Sequence, residues 1–314
     1  MTAYVDRQTT LADQVTLTGS GVHSGKPASI TLVPAEACVG VVFSRTDSDS
    51  SKEIPALWDK VSATALCTVL DDPSKDGIST VEHLMAALFG MGIDNVIVEI
   101  DGPEMPIMDG SSHAFVEAIE QVGIKKLDRG RRYLKVKKTV RVDNGSAWCE
   151  LHPYDGTKFD ITIDFDTPAI GNQKFVSDMT PDVFRNELCR ARTFGYVKDV
   201  EQLWKMGFAL GSSLENSVAI SDDKVLNPEG TRWPDEFARH KALDAVGDLA
   251  LAGLPILGLY RSFKGGHKMN HSILVKLFED PSAFEIVESP AFRQVGQVDK
   301  GGLAAAAAFG PDVS

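Results

Sequence analysis

Residues 233–253 read WPDEFARHKALDAVGDLALAG, and the fold turns on this stretch. Pro234, with Asp235 and Glu236 beside it, opens a long predicted helix, and Gly253 closes it. At about 100° per residue, Ala238, Ala242, Ala245, Leu249 and Ala252 form one apolar stripe. His240, Asp244 and Asp248 form a second row on roughly the opposite side, shared with Phe237 and Leu251. A solvent face would carry Lys and Glu alone. The helix therefore reads as partly buried on two sides, with a histidine and two aspartates in register on one of them.

Working outward, residues 14–70 read as short strands, among them ASITLVPA and VGVVFSRT. A helix follows in STVEHLMAALFG, where Ser79-x-x-Glu82 has the form of a capping box and Gly90 is a plausible stop. NVIVEI (95–100) is a strand, GPEMPIMDGSS a loop, and HAFVEAIEQVG (113–123) a second helix. The basic, turn-containing stretch KKLDRGRRYLKVKK (125–138) is taken as the domain boundary. Beyond it, YLKVKKTVRV, AWCELHPY and FDITIDF are predicted strands, and TPDVFRNELCRA (180–191) a helix. LPILGLY is a strand, and GGHKMNH reads as a loop. Extra material between Thr193 and Pro228 holds a helix, DVEQLWKMG, and strands in SLENSVAIS and DKVLN. Each half thus repeats strands, helix, strands, helix. The expectation is an α+β fold with domains at 1–127 and 128–280 and a mobile tail at 281–314.

Composition narrows the function. A chain of 314 residues is long enough for two domains. Its net charge of −12 argues against general nucleic-acid binding, which depends on Lys and Arg neutralising phosphates. The four cysteines form no C-x-x-C motif, so a reducing cytoplasm is expected. The N-terminal residues lack the apolar core of a signal peptide. The most apolar stretch, Leu249 to Tyr260, falls short of the roughly 20 residues that a membrane span needs.

His240 and Asp244 are one helical turn apart and can converge on one ion. For this pair alone, a His–Asp hydrogen bond in a packing face is the simpler account. A catalytic zinc needs a third protein ligand and leaves a position open for water. His83 is the candidate, and the adjacent Glu82 is placed to take a proton from that water. Taken singly, Glu82 as a helix cap and His83 as a core histidine are the better readings. His267 sits in KGGHKMNH, where two glycines let the loop approach a ligand, and Asp248 is a partner able to keep it protonated. An incidental histidine in a surface turn is an equal alternative.

Six motifs in order alter those odds: G-x-G-x-H-S-G-K at 19–26, S-T-V-E-H at 79–83, P-I-M-D-G-S at 106–111, A-R-T-F-G at 191–195, R-H-K-x-x-D-x-x-G-D at 239–248 and G-H-x-x-N at 266–270. Together they closely resemble the UDP-3-O-acyl-N-acetylglucosamine deacetylases, the LpxC family of lipid A synthesis, from about Thr9 to about Asp280. The resemblance implies two similar domains, each packing a pair of helices against a β-sheet. It implies one Zn²⁺ held by His83, His240 and Asp244, with Glu82 as general base and His267 as the charged partner of the intermediate and leaving group. Thr193 would help bind the oxyanion, and Asp248 would orient His267. A β-α-β insert at about 194–228 would form an acyl passage lined by Phe194, Val197, Val200, Ala209, Leu214 and Ala219. Phe165 would lie near the sugar nucleotide, and Lys241 and Lys264 would contact the diphosphate. The expected protein is a cytoplasmic monomer that removes acetate from its substrate.

Two histidines and a carboxylate also suit a non-haem iron oxygenase, though Glu82 and His267 favour hydrolysis. A non-catalytic sugar-nucleotide or lipid carrier would have no use for Glu82 or His267. A structural metal site would want four protein ligands.

Overall fold

The computed structural model of the chain describes residues 6–48 and 52–289. Its helices there are α1 (Glu82–Met91), α2 (His113–Val122), α3 (Pro181–Val183), α4 (Val197–Lys205), α5 (Glu236–Ala250) and α6 (His267–Glu279). A five-stranded sheet runs in the order Val15–Ser20, Pro27–Pro34, Val96–Ile100, Val41–Arg45 and Glu53–Pro55. Its second strand shows why it forms: Ala28, Ile30 and Leu32 point to the core while their neighbours are more exposed, the period-two pattern of a half-buried strand. A seven-stranded sheet is centred on Ile256–Phe263, which lies parallel to Arg132–Val136 and Thr157–Asp164 and antiparallel to Ala147–His152. The architecture is α+β.

α1 and α5 pack against each other at the centre. In α1 every residue except Phe89 is buried, and α5 is buried on both of its rows. Helices buried all round are core elements. Gly247 permits the close approach. A Cβ there would lie 2.0 Å from the Glu82 carbonyl oxygen, so any side chain would force the helices apart.

The structure departs from the sequence reading in five places. The capping box does not form: Ser79 belongs to a two-residue strand, the residue before α1 is Val81, and no side chain caps the helix. GGHKMNH is a loop only as far as Gly266, and His267 is the first residue of α6. TPDVFRNELCRA begins as α3, capped by Thr180 accepting the Val183 N–H at 3.2 Å, then widens to a π-turn over Phe184–Leu188. The expected boundary at 127/128 falls inside a strand, Ile124–Gly130, which pairs back onto Arg7–Leu11, so sheet membership changes only at Arg131. The expected tail starts too early. Phe284–Glu288 is an edge strand antiparallel to Arg132–Val136, and residues 290–314 of the expected tail lie outside the described residues.

The stretch from Phe194 to Val225 forms a three-stranded sheet of its own. Phe194–Tyr196 runs parallel to Val218–Ser221, with α4 between them in sequence, and Lys224–Val225 closes the edge. The first of these strands was not legible beforehand, and the second is shorter than expected. No helix among the described residues is long and apolar enough to cross a membrane.

Candidate metal centre and active site

His83, the second residue of α1, meets His240 and Asp244 of α5 across the helix contact. One ligand atom from each lies within 4.8 Å of the others, and all three residues are buried. Asp244 Oδ1 stands 3.3 Å from His240 Nε2 and 3.6 Å from His83 Nε2. The two imidazole rings cross nearly at right angles, 5.1 Å apart.

The donor chemistry fits a cation. His240 donates its Nδ1 proton to the Ala191 carbonyl at 3.0 Å, which fixes the tautomer and leaves the Nε2 lone pair aimed at Asp244. Burial, against the pull of Asp244, lowers the His240 pKa to about 3, so the ring is neutral and able to ligate. Burial alone would raise the Asp244 carboxyl, but the positive charges of Lys241 and His267 beside it outweigh burial and hold it well below the usual carboxylate range. Asp244 Oδ2 accepts from Lys241 Nζ at 2.8 Å. Asp244 Oδ1 and His83 Nδ1 are buried without any hydrogen-bond partner. An orphaned buried carboxylate oxygen between two imidazoles is costly unless a cation takes it.

Glu82 and His267 flank this cluster. His267 Nε2 lies 3.8 Å from Glu82 Oε1 and 3.9 Å from Asp244 Oδ2. Its Nδ1 donates to Asp248 Oδ2 at 2.8 Å. Burial opposes charge on His267, but Asp248, Glu82 and Asp244 outweigh it and raise its pKa to about 9. Burial also pushes the Glu82 carboxyl up, with His267 and His83 opposing. Asn270 of the G-H-x-x-N motif donates to the same Asp248 oxygen at 2.8 Å and accepts from the buried Tyr260 hydroxyl at 2.6 Å.

The cluster opens into a cavity of about 540 Å³. Glu82, His83, Thr193, His240, Lys241, Asp244 and His267 line its polar end. Phe194, Val197, Val200, Ala209, Leu214 and Ala219 all line its walls. The structure therefore brings these residues around one space. Three others are not on the lining. Asp248 sits behind His267. Phe165 meets Phe194 edge-on at 5.8 Å, one layer back from the cavity. Lys264 is partly exposed and paired with Asp164 at 2.9 Å.

Sequence reasoning missed a buried acid and a buried hydroxyl. Glu104 accepts the backbone N–H groups of His23 and Ser24, each at 2.7 Å, and so pins the turn of the G-x-G-x-H-S-G-K motif to the cavity wall. That turn also takes the Leu210 N–H on the His23 carbonyl at 3.0 Å. Thr68, 1% exposed, bonds to both Glu82 and Asp248. Neither residue sits in a motif with a periodic or spacing signal. Each acts through contacts far apart in sequence.

Residues 8–279 match the LpxC family model, described as UDP-3-O-acyl N-acetylglycosamine deacetylase. The chain is 51% identical over 290 residues to proteins named UDP-3-O-acyl-N-acetylglucosamine deacetylase from Brucella ovis and from Brucella melitensis biotype 2. In both cases the match covers 92% of this chain and 100% of the relative.

Proposed function

We infer, from the premise that this chain belongs to the LpxC family of UDP-3-O-acyl-N-acetylglucosamine deacetylases, that its three-residue cluster of His83, His240 and Asp244 holds one zinc ion. The protein is a hydrolase of lipid A biosynthesis that cleaves the N-acetyl amide of the UDP-linked aminosugar and releases acetate. The observation that carries the metal assignment is the orphaned Asp244 Oδ1 between two buried imidazoles.

A divalent cation held there would polarise the amide carbonyl and make water acidic near neutral pH. Glu82, the residue just before the ligand His83, takes the proton from the attacking water. The water oxygen bonds to the acetyl carbon, and the C–N bond then breaks. His267, protonated at neutral pH and 3.8 Å from Glu82, stabilises the negative charge and delivers a proton to the departing amine. Asp248 accepts from the His267 Nδ1 proton, which fixes the ring's orientation and favours its charge. Thr193 contributes a donor to the oxyanion, an interaction typically worth about 3–4 kcal/mol.

The apolar length of the cavity supports an acyl-chain passage through the insert at 194–228, lined by the six residues named above. We read the two helix-bearing sheets as two similar domains meeting at Arg131. Lys241 beside Asp244, and Lys264 further out, are the cations we assign to the diphosphate, with Phe165 against the sugar nucleotide. An acidic protein needs such local cations for an anionic substrate. We place the enzyme in the cytoplasm as a monomer.

Mass spectrometry of UDP-3-O-acyl-N-acetylglucosamine before and after incubation tests the activity. A mass loss equal to one acetyl group is expected, together with one metal ion per chain by elemental analysis. Intact substrate with fully metallated enzyme would overturn the mechanism.

A further inference from the structure

Thr68 makes two hydrogen bonds that no other described residue combines. Its backbone N–H donates to Glu82 Oε2 at 3.1 Å. Its hydroxyl lies 2.6 Å from Asp248 Oδ1. The hydroxyl is the donor in that bond. The segment is fixed from both sides: the Thr68 carbonyl accepts the Val81 N–H at 3.4 Å, and the next residue, Val69, pairs with Ser79. These contacts tie the residue to the chain that leads into α1.

The two carboxylates are thereby divided into a held oxygen and a working oxygen. With Oε2 of Glu82 held by Thr68, Oε1 faces His267 Nε2. With Oδ1 of Asp248 held by the hydroxyl, Oδ2 is left for His267 Nδ1 and the Asn270 amide. Thr68 is 1% exposed and does not line the cavity, so it touches neither substrate nor the reacting atoms. Carboxylate groups with a free torsion rotate between equivalent states. A donor on one oxygen of each removes that freedom in the base and in the partner of the acid at once.

We propose that Thr68 is a positioning residue that sets the mutual orientation of Glu82 and the Asp248–His267 pair. This rests on the roles assigned above to Glu82 and His267. The backbone bond to Glu82 survives any side-chain change, so substitution isolates the arm that reaches Asp248. Valine has the same shape without the donor.

The experiment compares steady-state deacetylation by the metallated full chain, Thr68→Val, Thr68→Ser and Thr68→Ala. Loss of an outer hydrogen bond of this kind typically costs about 10- to 100-fold. Thr68→Val is expected to lose about that in kcat with KM and metal content unchanged, and Thr68→Ser to recover most of it. The decisive arm is the double variant. If Thr68 acts through His267, Thr68→Val or Thr68→Ala made in a His267→Ala background loses little further turnover. A purely structural Thr68 would impose its full loss there too. Thr68→Ala serves in the same cycle should valine fail to fold. Turnover by Thr68→Val within twofold of wild type, an unchanged loss in the His267→Ala background, or a loss confined to KM would each overturn the proposal. Inactivity of the wild type would instead remove the mechanism beneath it, which keeps the two failures distinct.

Discussion

At the scale of single residues, Glu82 separates capping from catalysis. Its carboxylate is turned away from the helix end, toward the Thr68 N–H on one side and His267 on the other. Glutamine keeps the shape and the ability to accept from Thr68, but an amide takes no proton from water at neutral pH. We predict that Glu82→Gln keeps its fold and metal and loses at least about 100-fold in kcat, the low end for general acid–base catalysis. Wild-type turnover by the glutamine variant would move the base elsewhere. His267 gives a second prediction. Its folded pKa is raised from the ordinary 6.5 to about 9, so the protonated ring favours the folded state. That contribution is complete below pH 6.5 and is lost as pH rises through about 9. In metal-free protein, the ring resonances of His267 followed by NMR should titrate near pH 9, and Asp248→Asn should move the midpoint down. A midpoint at or below 6.5 in the unsubstituted chain would contradict the charge assignment.

At the scale of elements, two opposing effects meet at Gly247. Helix propensity alone favours alanine over glycine by about 1 kcal/mol. Sterics point the other way, because the new Cβ would lie 2.0 Å from the Glu82 carbonyl, a backbone atom that cannot swing aside. Overpacking typically costs about 1–3 kcal/mol. Sterics should win: Gly247→Ala is expected to lower the denaturant midpoint and to weaken metal binding, since it pushes α5 from α1. A more stable variant with unchanged metal affinity would show that the helices have slack. The insert offers another test. Ala209 is nearly buried in the cavity wall, with φ at 57°. Ala209→Trp should reduce kcat/KM for long-chain substrate by orders of magnitude, because each buried CH₂ is worth about 0.8 kcal/mol. A substrate stripped of its acyl chain should be turned over equally by both proteins, and an equal loss for the two substrates would argue against a passage. The elements also show where the sequence fell short. Met269, Ile273, Leu274 and Leu277 carry the apolar face of α6, but the pair of glycines before His267 and the polar residues after it masked the start of that helix.

At the scale of the whole molecule, the centre joins α1, from the first half of the chain, to α5, from the second. A cation bridging them should stabilise the whole fold. Ligand present at about 1,000 times its Kd adds about 4 kcal/mol. Chelation is therefore predicted to lower Tm by several degrees, re-addition of zinc to restore it, and Asp244→Ala to abolish the difference. An unchanged Tm on chelation would mean that the metal bridges nothing. Much of this was written in the sequence. The row of His240, Asp244 and Asp248 follows from a 3.6-residue period, a local property that any helix must express. The six ordered motifs by themselves point to the family. What the chain alone left open was every contact between residues far apart in sequence. Whether His83 reaches Asp244, whether Glu82 caps a helix or faces His267, and whether Thr68 matters at all depend on the approach of two helices permitted by Gly247. Periodicity fixes which side of one helix a residue occupies. Only packing, where dozens of weak contacts are satisfied together, fixes what stands opposite it.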